Sequence, residues 1–257
     1  MRLLDGGFEE KLFNERVVMP TSERELIIQQ DELASHVQLE NRFEADRVSF
    51  ISAVDLAYWS EGKKDFAVCC FVTIDVNKYR IVEKQCMSEE IKYPYVSGCL
   101  SLRELPLILK TYGLLTIEPD VVFFDGNGIL HNRRMGIATH ASFFIDKPTV
   151  GIAKTYLKVN QTDFEMPENI EGAFTDIVVD GVCLGRSLRT RKDVKPIFVS
   201  CGNWIDIDTA VMFVLKLVTQ ESRLPLPNRL ADIETKLARK KCCHTYPFVR
   251  KIVSAGQ

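Results

Sequence analysis

Several things are missing from this sequence, and each absence excludes a class. No uninterrupted apolar run approaches the ~20 residues that a membrane-spanning helix requires. The opening stretch MRLLDGGFEEKLF places acids and glycines where a secretory leader needs an apolar centre, so no leader is expected there. No CxxC occurs among the eight cysteines, which removes the usual spacing of a structural zinc site. Cys69–Cys70 and Cys242–Cys243 are adjacent pairs instead, and the thiols are expected to be free, as in a reducing compartment. A large charge excess is missing too. Thirty-three basic against 35 acidic residues leave a formal net charge of −2, so any attraction to a polyanion must be local. No repeat, low-complexity tract or linker divides the chain.

What is there is an ordinary globular balance, 46% hydrophobic and 26% charged over 257 residues, enough to bury a sizeable core. The expected organisation is a single domain over 1–257 in a soluble intracellular monomer, cytoplasmic or nuclear (the nucleolus included), with no membrane partner. From Thr21, TSERELIIQQDELASHVQLEN opens with hydroxyl and acidic residues and continues at helical spacing, a capped helix. VSFISAVDLAYW (48–59), FAVCCFVTIDV (66–76) and YRIVEKQCMS (79–88) are strand candidates with short connections, which suggests an antiparallel meander.

After a Pro/Gly loop, a helix is expected from about Ser101, with Ser101 and Glu104 in capping-box positions and Pro106 near the first turn. VVFFDG reads as an inner strand, apolar on both faces. MGIATHASFFID reads as a helix and PTVGIAK as another inner strand. FTDIVVD and GVCLGRSLRT are strands joined by an Asp-Gly turn. KPIFVSCG is a strand, IDTAVMFVLKLVTQ an apolar helix and NRLADIETKLARKK a basic-ended helix. A meander followed by alternating helices and strands describes an α/β fold with a mixed central sheet flanked by helices.

Four carboxylates stand out. Asp55 lies inside an apolar strand, where a charge must be paired or bind a cation. Asp125 ends the strand VVFF, Glu104 opens a helix, and Asp232 lies near the start of the last helix. Singly, Glu104 reads as a cap, Asp125 as a turn residue and Asp232 as a dipole-matched acid. Together they could surround a divalent cation such as Mg²⁺, which takes oxygen ligands and keeps waters for a substrate phosphate. Gly126 and Gly128 would let backbone approach a nucleic acid closely, and His131, Arg133, Arg134 and Lys154 would meet its phosphates.

VDLAY, PYVSGCLSLRE, FFDGNGILHNRRMGIATH, PTVGIAK, RTRKDVKPIFVSCG and LPLPNRLAD, in that order, resemble the endonuclease V family over roughly residues 45 to 235. The resemblance implies a ribonuclease H-like fold, with its core at about 45–242. It implies that Asp55, Glu104 and Asp125 are metal-binding acids and Lys154 an active-site lysine. It makes Tyr95 a wedge that stacks at the lesion, places Gly98, Leu100 and Gly126 in the walls of a pocket for an extruded base, and puts His131 near the phosphates.

The implied reaction cuts the second phosphodiester 3′ of inosine, leaving 3′-hydroxyl and 5′-phosphate, with Mg²⁺ or Mn²⁺. Asp232 stands where bacterial members are similar in carrying histidine, and Asn127 stands where many of them have histidine. PYVSG stands in for PYIPG. These departures resemble animal-type members and imply single-stranded inosine-containing RNA as the partner, with deoxyinosine repair in DNA as the alternative. A non-cleaving reader of inosine RNA is the alternative of another class, and the complete acid set argues against it. The basic end formed by RKKCCH and the trailing VRK reads either as an extension of a nucleic-acid surface or as a solvated helix end.

Overall fold

The computed structural model describes residues 17–96, 98–242 and, for the backbone alone, 249–253. The leader reading, Ser97 of the PYVSG stretch and Cys243 lie outside the described residues. Helix α1 spans Glu23–Ala34, and the Ser22 hydroxyl accepts the Glu25 N–H at 3.2 Å, the cap that the TSERE pattern predicts. The meander follows as β1 (Phe50–Glu61), β2 (Lys64–Asp75) and β3 (Arg80–Ile91), antiparallel throughout.

Then come α2 (Leu100–Tyr112), β4 (Val121–Phe124), α3 (Ile137–Ile145) and β5 (Thr149–Ala153). The chain continues with β6 (Phe174–Val179), β7 (Val182–Leu188), β8 (Ile197–Asn203), α4 (Ile207–Leu217), α5 (Leu226–Cys242) and β9 (Val249–Val253). The nine strands of the described residues join one sheet in the order β6-β7-β8-β5-β4-β1-β2-β3-β9. Among the described residues only β1–β4 and β4–β5 are parallel pairs, so the two connections that need a crossover meet at the centre.

The alternation along β4 shows why VVFF sits there. Val122 and Phe124 pack with Leu105 and Ile108 of α2 and Ala141 of α3 on one face. Val121 and Phe123 pack with Phe213 and Val214 of α4 on the other. Helix α5 closes the α4 side over β1 and β2, through Ala238 and Cys242 against Ala57, Val68 and Cys70. Between β6 and β7, Asp180 and Gly181 both take positive φ, 51° and 77°, the turn that matches strand twist.

Four expectations change. The thiols are not all free: β2 and β3 place Cys70 directly opposite Cys86, with Cα atoms 4.2 Å apart, and the two form a disulfide. That pairing depends on register, which adjacent or CxxC patterns do not report. Helix α2 begins a residue earlier than expected and has no capping box. Its N-cap is Cys99, without a side-chain bond, and Pro106 falls in the second turn. Asp232 is likewise in the second turn of α5, too deep for an N-terminal dipole role. The trailing VRK is not part of a helix end, because its backbone forms β9, paired with β3. Among the described residues, no helix is long and apolar enough to cross a membrane.

Candidate active site

The parallel pairing of β1 with β4 sets Val54 beside Phe124, and each strand's next residue is an aspartate. The Asp125 N–H donates to the Val54 carbonyl at 3.3 Å, so Asp55 and Asp125 stand together at the carboxyl ends of two central strands. Asp55 faces α5, where the Thr235 hydroxyl donates to its Oδ2 at 3.1 Å. Tyr58, on the opposite face of β1, gives its hydroxyl proton to the Glu104 carboxylate arriving from α2. Lys154, the residue after β5, reaches Asp125 Oδ2 at 2.7 Å and Asp232 Oδ1 at 3.3 Å. Lys236, one turn along α5, holds the other oxygen of Asp232 at 2.5 Å.

The electrostatics show that these groups act on one another. Burial, followed by the charge of Asp125, pushes the Asp55 carboxyl from 3.8 up to about 7. Burial also pushes Glu104 from 4.5 to about 7; the Tyr58 hydrogen bond opposes the rise, and the charges of Asp125 and Asp55 add to it. Burial works upward on Asp232 as well, but Lys236 and Lys154 outweigh it and hold that carboxyl below its usual range. Burial acts downward on Lys154, but Asp125, Asp55 and Asp232 overcome it and keep the ammonium charged.

The donor set fits a hard divalent cation. It offers only carboxylate oxygens, and two of them carry raised proton affinity because they are buried beside like charge, a strain that a cation would relieve. Among the described residues, no three acid, imidazole or thiol groups converge as a finished ligand cage. Asp125 and Asp232 share Lys154, and the charge of Asp125 acts on both Asp55 and Glu104.

Beside this cluster lies a cavity of about 120 Å³, whose walls include Tyr95, Gly98, Leu100, Gly126 and His131. All four predicted pocket and wedge positions line it, and Tyr95 stands at its mouth, 69% exposed. At Gly126, φ is +150° and an added Cβ would sit 2.7 Å from the Ile137 side chain, so glycine is required there.

At three further expected positions the structure shows a packing or hydrogen-bond partner within the protein. Gly128 faces away from the cavity, and a Cβ there would lie 2.0 Å from the Cys201 carbonyl of β8; its lack of a side chain serves strand packing. Arg133 points inward: its Nη2 donates to the Gly98 carbonyl at 2.6 Å and its Nε to Gln30 Oε1 at 2.7 Å. His131 is buried, accepts the Arg133 N–H at Nδ1 and is held near 4, below its usual 6.5, first by burial and then by the Arg133 charge. It is therefore neutral, a wall of the cavity and not a cation for phosphate. Arg134 alone of that knot is a solvent-facing cation.

Several participants had no assigned role in the sequence. Tyr58 gave the best available signal, since a tyrosine inside an apolar strand needs a partner for its hydroxyl. Arg103 stacks over the Tyr58 ring at 4.8 Å and bonds the Tyr93 carbonyl. Thr235, Lys236 and Gln30 left no mark in the sequence, because only the tertiary fold brings them to the site.

A mixed sheet with acids at the ends of two central parallel strands and a basic residue after the third defines a nuclease of ribonuclease H-like fold. The sequence model described as Endonuclease V matches residues 31–233, and the chain belongs to the endonuclease V family. An endonuclease V of Bacillus thuringiensis subsp. konkukian is 54% identical over 212 residues, covering 82% of this chain and 90% of that protein. The crystal structure of Bacillus subtilis endonuclease V superposes with a TM-score of 0.84 at 47% identity, covering 90% of this chain and 95% of that one. Human ENDOV superposes with a TM-score of 0.77 at 25% identity, over 86% and 100%. These figures do not mark the chain as specifically animal-type, since both bacterial proteins are more similar to it than the human one.

Proposed function

We propose that this chain is a divalent-metal-dependent endonuclease that cuts the second phosphodiester 3′ of an inosine, leaving a 3′-hydroxyl and a 5′-phosphate, and that it acts as a monomer. The observation that carries this reading is that the cavity and the acid cluster share two elements. Gly126 lines the cavity while the preceding Asp125 joins the acids. Leu100 lines it while Glu104, one helical turn along, bonds Tyr58 beside them. A base held in the cavity therefore delivers a neighbouring phosphate to the carboxylates.

Asp55, Glu104, Asp125 and Asp232 would hold the ion, Mg²⁺ with Mn²⁺ able to substitute. When bound, it supplies Lewis-acid stabilisation of charge developing on the phosphate. Lys154 keeps its proton and offers an ammonium to a non-bridging oxygen, having exchanged Asp125 for the phosphate. Tyr95 replaces the stacking that the extruded base gives up, worth ~1–3 kcal/mol. Hypoxanthine carries an N1–H donor and an O6 acceptor, which adenine lacks, and guanine adds an amino group that a small cavity rejects.

Single-stranded RNA is the first reading for the polymer, on the resemblance of Asp232 and the PYVSG and DGNG stretches to animal-type members. DNA is the second, favoured by the higher identity to bacterial relatives. The test uses two labelled single strands of identical sequence, one RNA and one DNA, each with one inosine, with Mg²⁺ and Asp55→Ala as blank. Faster RNA cleavage one nucleotide 3′ of inosine is expected. Faster DNA cleavage would transfer the activity to repair of deaminated adenine, and binding without cleavage of either would reduce the chain to a reader.

A further inference from the structure

Three segments far apart in sequence meet in the wall of the cavity, which Gln30, Gly98 and Met135 all line. Gln30 of α1 is 1% exposed, and both ends of its amide are used. Its Nε2 donates to the Met135 carbonyl at 3.0 Å, and its Oε1 accepts from Arg133 Nε at 2.7 Å. Arg133 then donates from Nη2 to the Gly98 carbonyl at 2.6 Å. The Nε–Nη2 edge, one of the two edges with which a guanidinium can grip a phosphate through paired donors, is thereby spent inside the protein.

Gly98 has a φ of +76°, and a Cβ there would lie 3.5 Å from Arg133 Nη2 and 3.7 Å from His131 Nε2, so the backbone is gripped from one side by both. Arg133 bonds its carbonyl, and the His131 ring lies on the same side of the residue. One of that oxygen's two lone pairs is thereby committed within the protein. What it provides is a fixed wall.

We propose that Gln30 and Arg133 are positioning residues that set the width of the base cavity through the Gly98 carbonyl, and so set the preference for inosine over guanosine, and that Arg133 makes no phosphate contact. This rests on the reading of the cavity as a base pocket. Hypoxanthine and guanine share the N1–H and O6 edge and differ by one amino group. Selection between them depends on where the walls stand, to a fraction of an ångström. Hydrogen-bonded backbone holds such a wall in place; a loop anchored only by apolar packing would give way.

The experiment compares kcat/KM on single strands carrying inosine or guanosine at the same position, each over a salt series, for the wild type, Arg133→Ala, Gln30→Leu and Gln30→Glu. The inosine-to-guanosine ratio is expected to fall about tenfold in Arg133→Ala and Gln30→Leu, the worth of one lost hydrogen bond to a charged donor. It should survive largely in Gln30→Glu, whose carboxylate still accepts from Arg133. The salt slope is expected to be the same in all four. A phosphate contact predicts the reverse, a slope shallower by about 0.7 in Arg133→Ala with the ratio unmoved, and that result overturns the proposal.

Melting temperatures accompany each variant. If Arg133→Ala does not fold, the contrast between Gln30→Leu and Gln30→Glu decides the matter, and equal ratios there also overturn the proposal. A selective wild type with unmoved variants sinks this inference alone. A wild type that cuts both strands alike sinks the functional reading and the inference with it.

Discussion

Replacing Asp55 with asparagine, in protein stripped of divalent ions, should stabilise the fold relative to wild type by an amount that grows with pH. The Asp55 carboxyl sits at about 7 in the folded chain against an ordinary 3.8, first through burial and then through Asp125. A carboxyl raised on folding contributes stability that is complete below about pH 4 and is lost as pH rises through about 7, because the folded state holds the proton longer. Between about pH 5 and pH 7 most of that loss occurs, roughly 2–3 kcal/mol, and above pH 7 it levels off. Asparagine cannot ionise, yet its carbonyl oxygen keeps the Thr235 bond.

The stability gap in favour of Asp55→Asn should therefore widen by roughly 2–3 kcal/mol from about pH 5 to pH 8, a relative shift in Tm on the order of 5–10 °C for a chain of this size. Thermal melts in chelator at both pH values measure it. Mg²⁺ at a hundred times its Kd should then raise the wild type by about 2.7 kcal/mol and the variant by much less. A gap that stays constant or narrows with pH would refute the view that the acids strain one another and await a cation.

The sequence disclosed the local elements and the acids far better than the roles of their neighbours, and the reason is the range of the physics involved. VVFFDG announces an inner strand ending on a carboxylate because apolarity on both faces is a local property. Asp55 is visible because aspartate is out of place in VSFISAVDLAYW. But DGNG contains two glycines with opposite duties. Gly126 faces the cavity and Gly128 meets the Cys201 carbonyl, and only the approach of β8 separates them. The Ser101–Glu104 spacing imitates a capping box, whereas Glu104 turns toward Tyr58, 46 residues earlier. Arg133 reads as a phosphate ligand in the sequence, whereas in the fold Gln30, 103 residues away, accepts its Nε–H. Cys70 and Cys86 join because of a strand register. In each case the residue type was informative and the partner was not, since long-range pairing leaves no periodicity in the chain.

Two further outcomes follow from the same geometry. Tyr95→Ala should weaken binding of an inosine strand by ~1–3 kcal/mol and lower its selectivity while leaving divalent-ion affinity unchanged, and paired strand-binding and metal titrations check this; undiminished selectivity removes the wedge role. Tyr58→Phe acts on the acids themselves. The Tyr58 hydroxyl donates to the ionised Glu104 carboxylate and so opposes the burial that lifts it to about 7. Without that bond Glu104 rises further, so a higher pH is needed to ionise it. Cation binding requires the ionised form. The acidic limb of the pH–rate profile should therefore move up by about one unit, the worth of a hydrogen bond to a charged acceptor, while the rate on the alkaline side of the limb stays near that of wild type. Saturating Mg²⁺ should pull the limb back down, because the cation competes with the proton for the same oxygens. A limb that moves but ignores Mg²⁺ would mean that Glu104 titrates in the reaction without holding the ion, and an unmoved limb would mean that the Tyr58 contact is only packing.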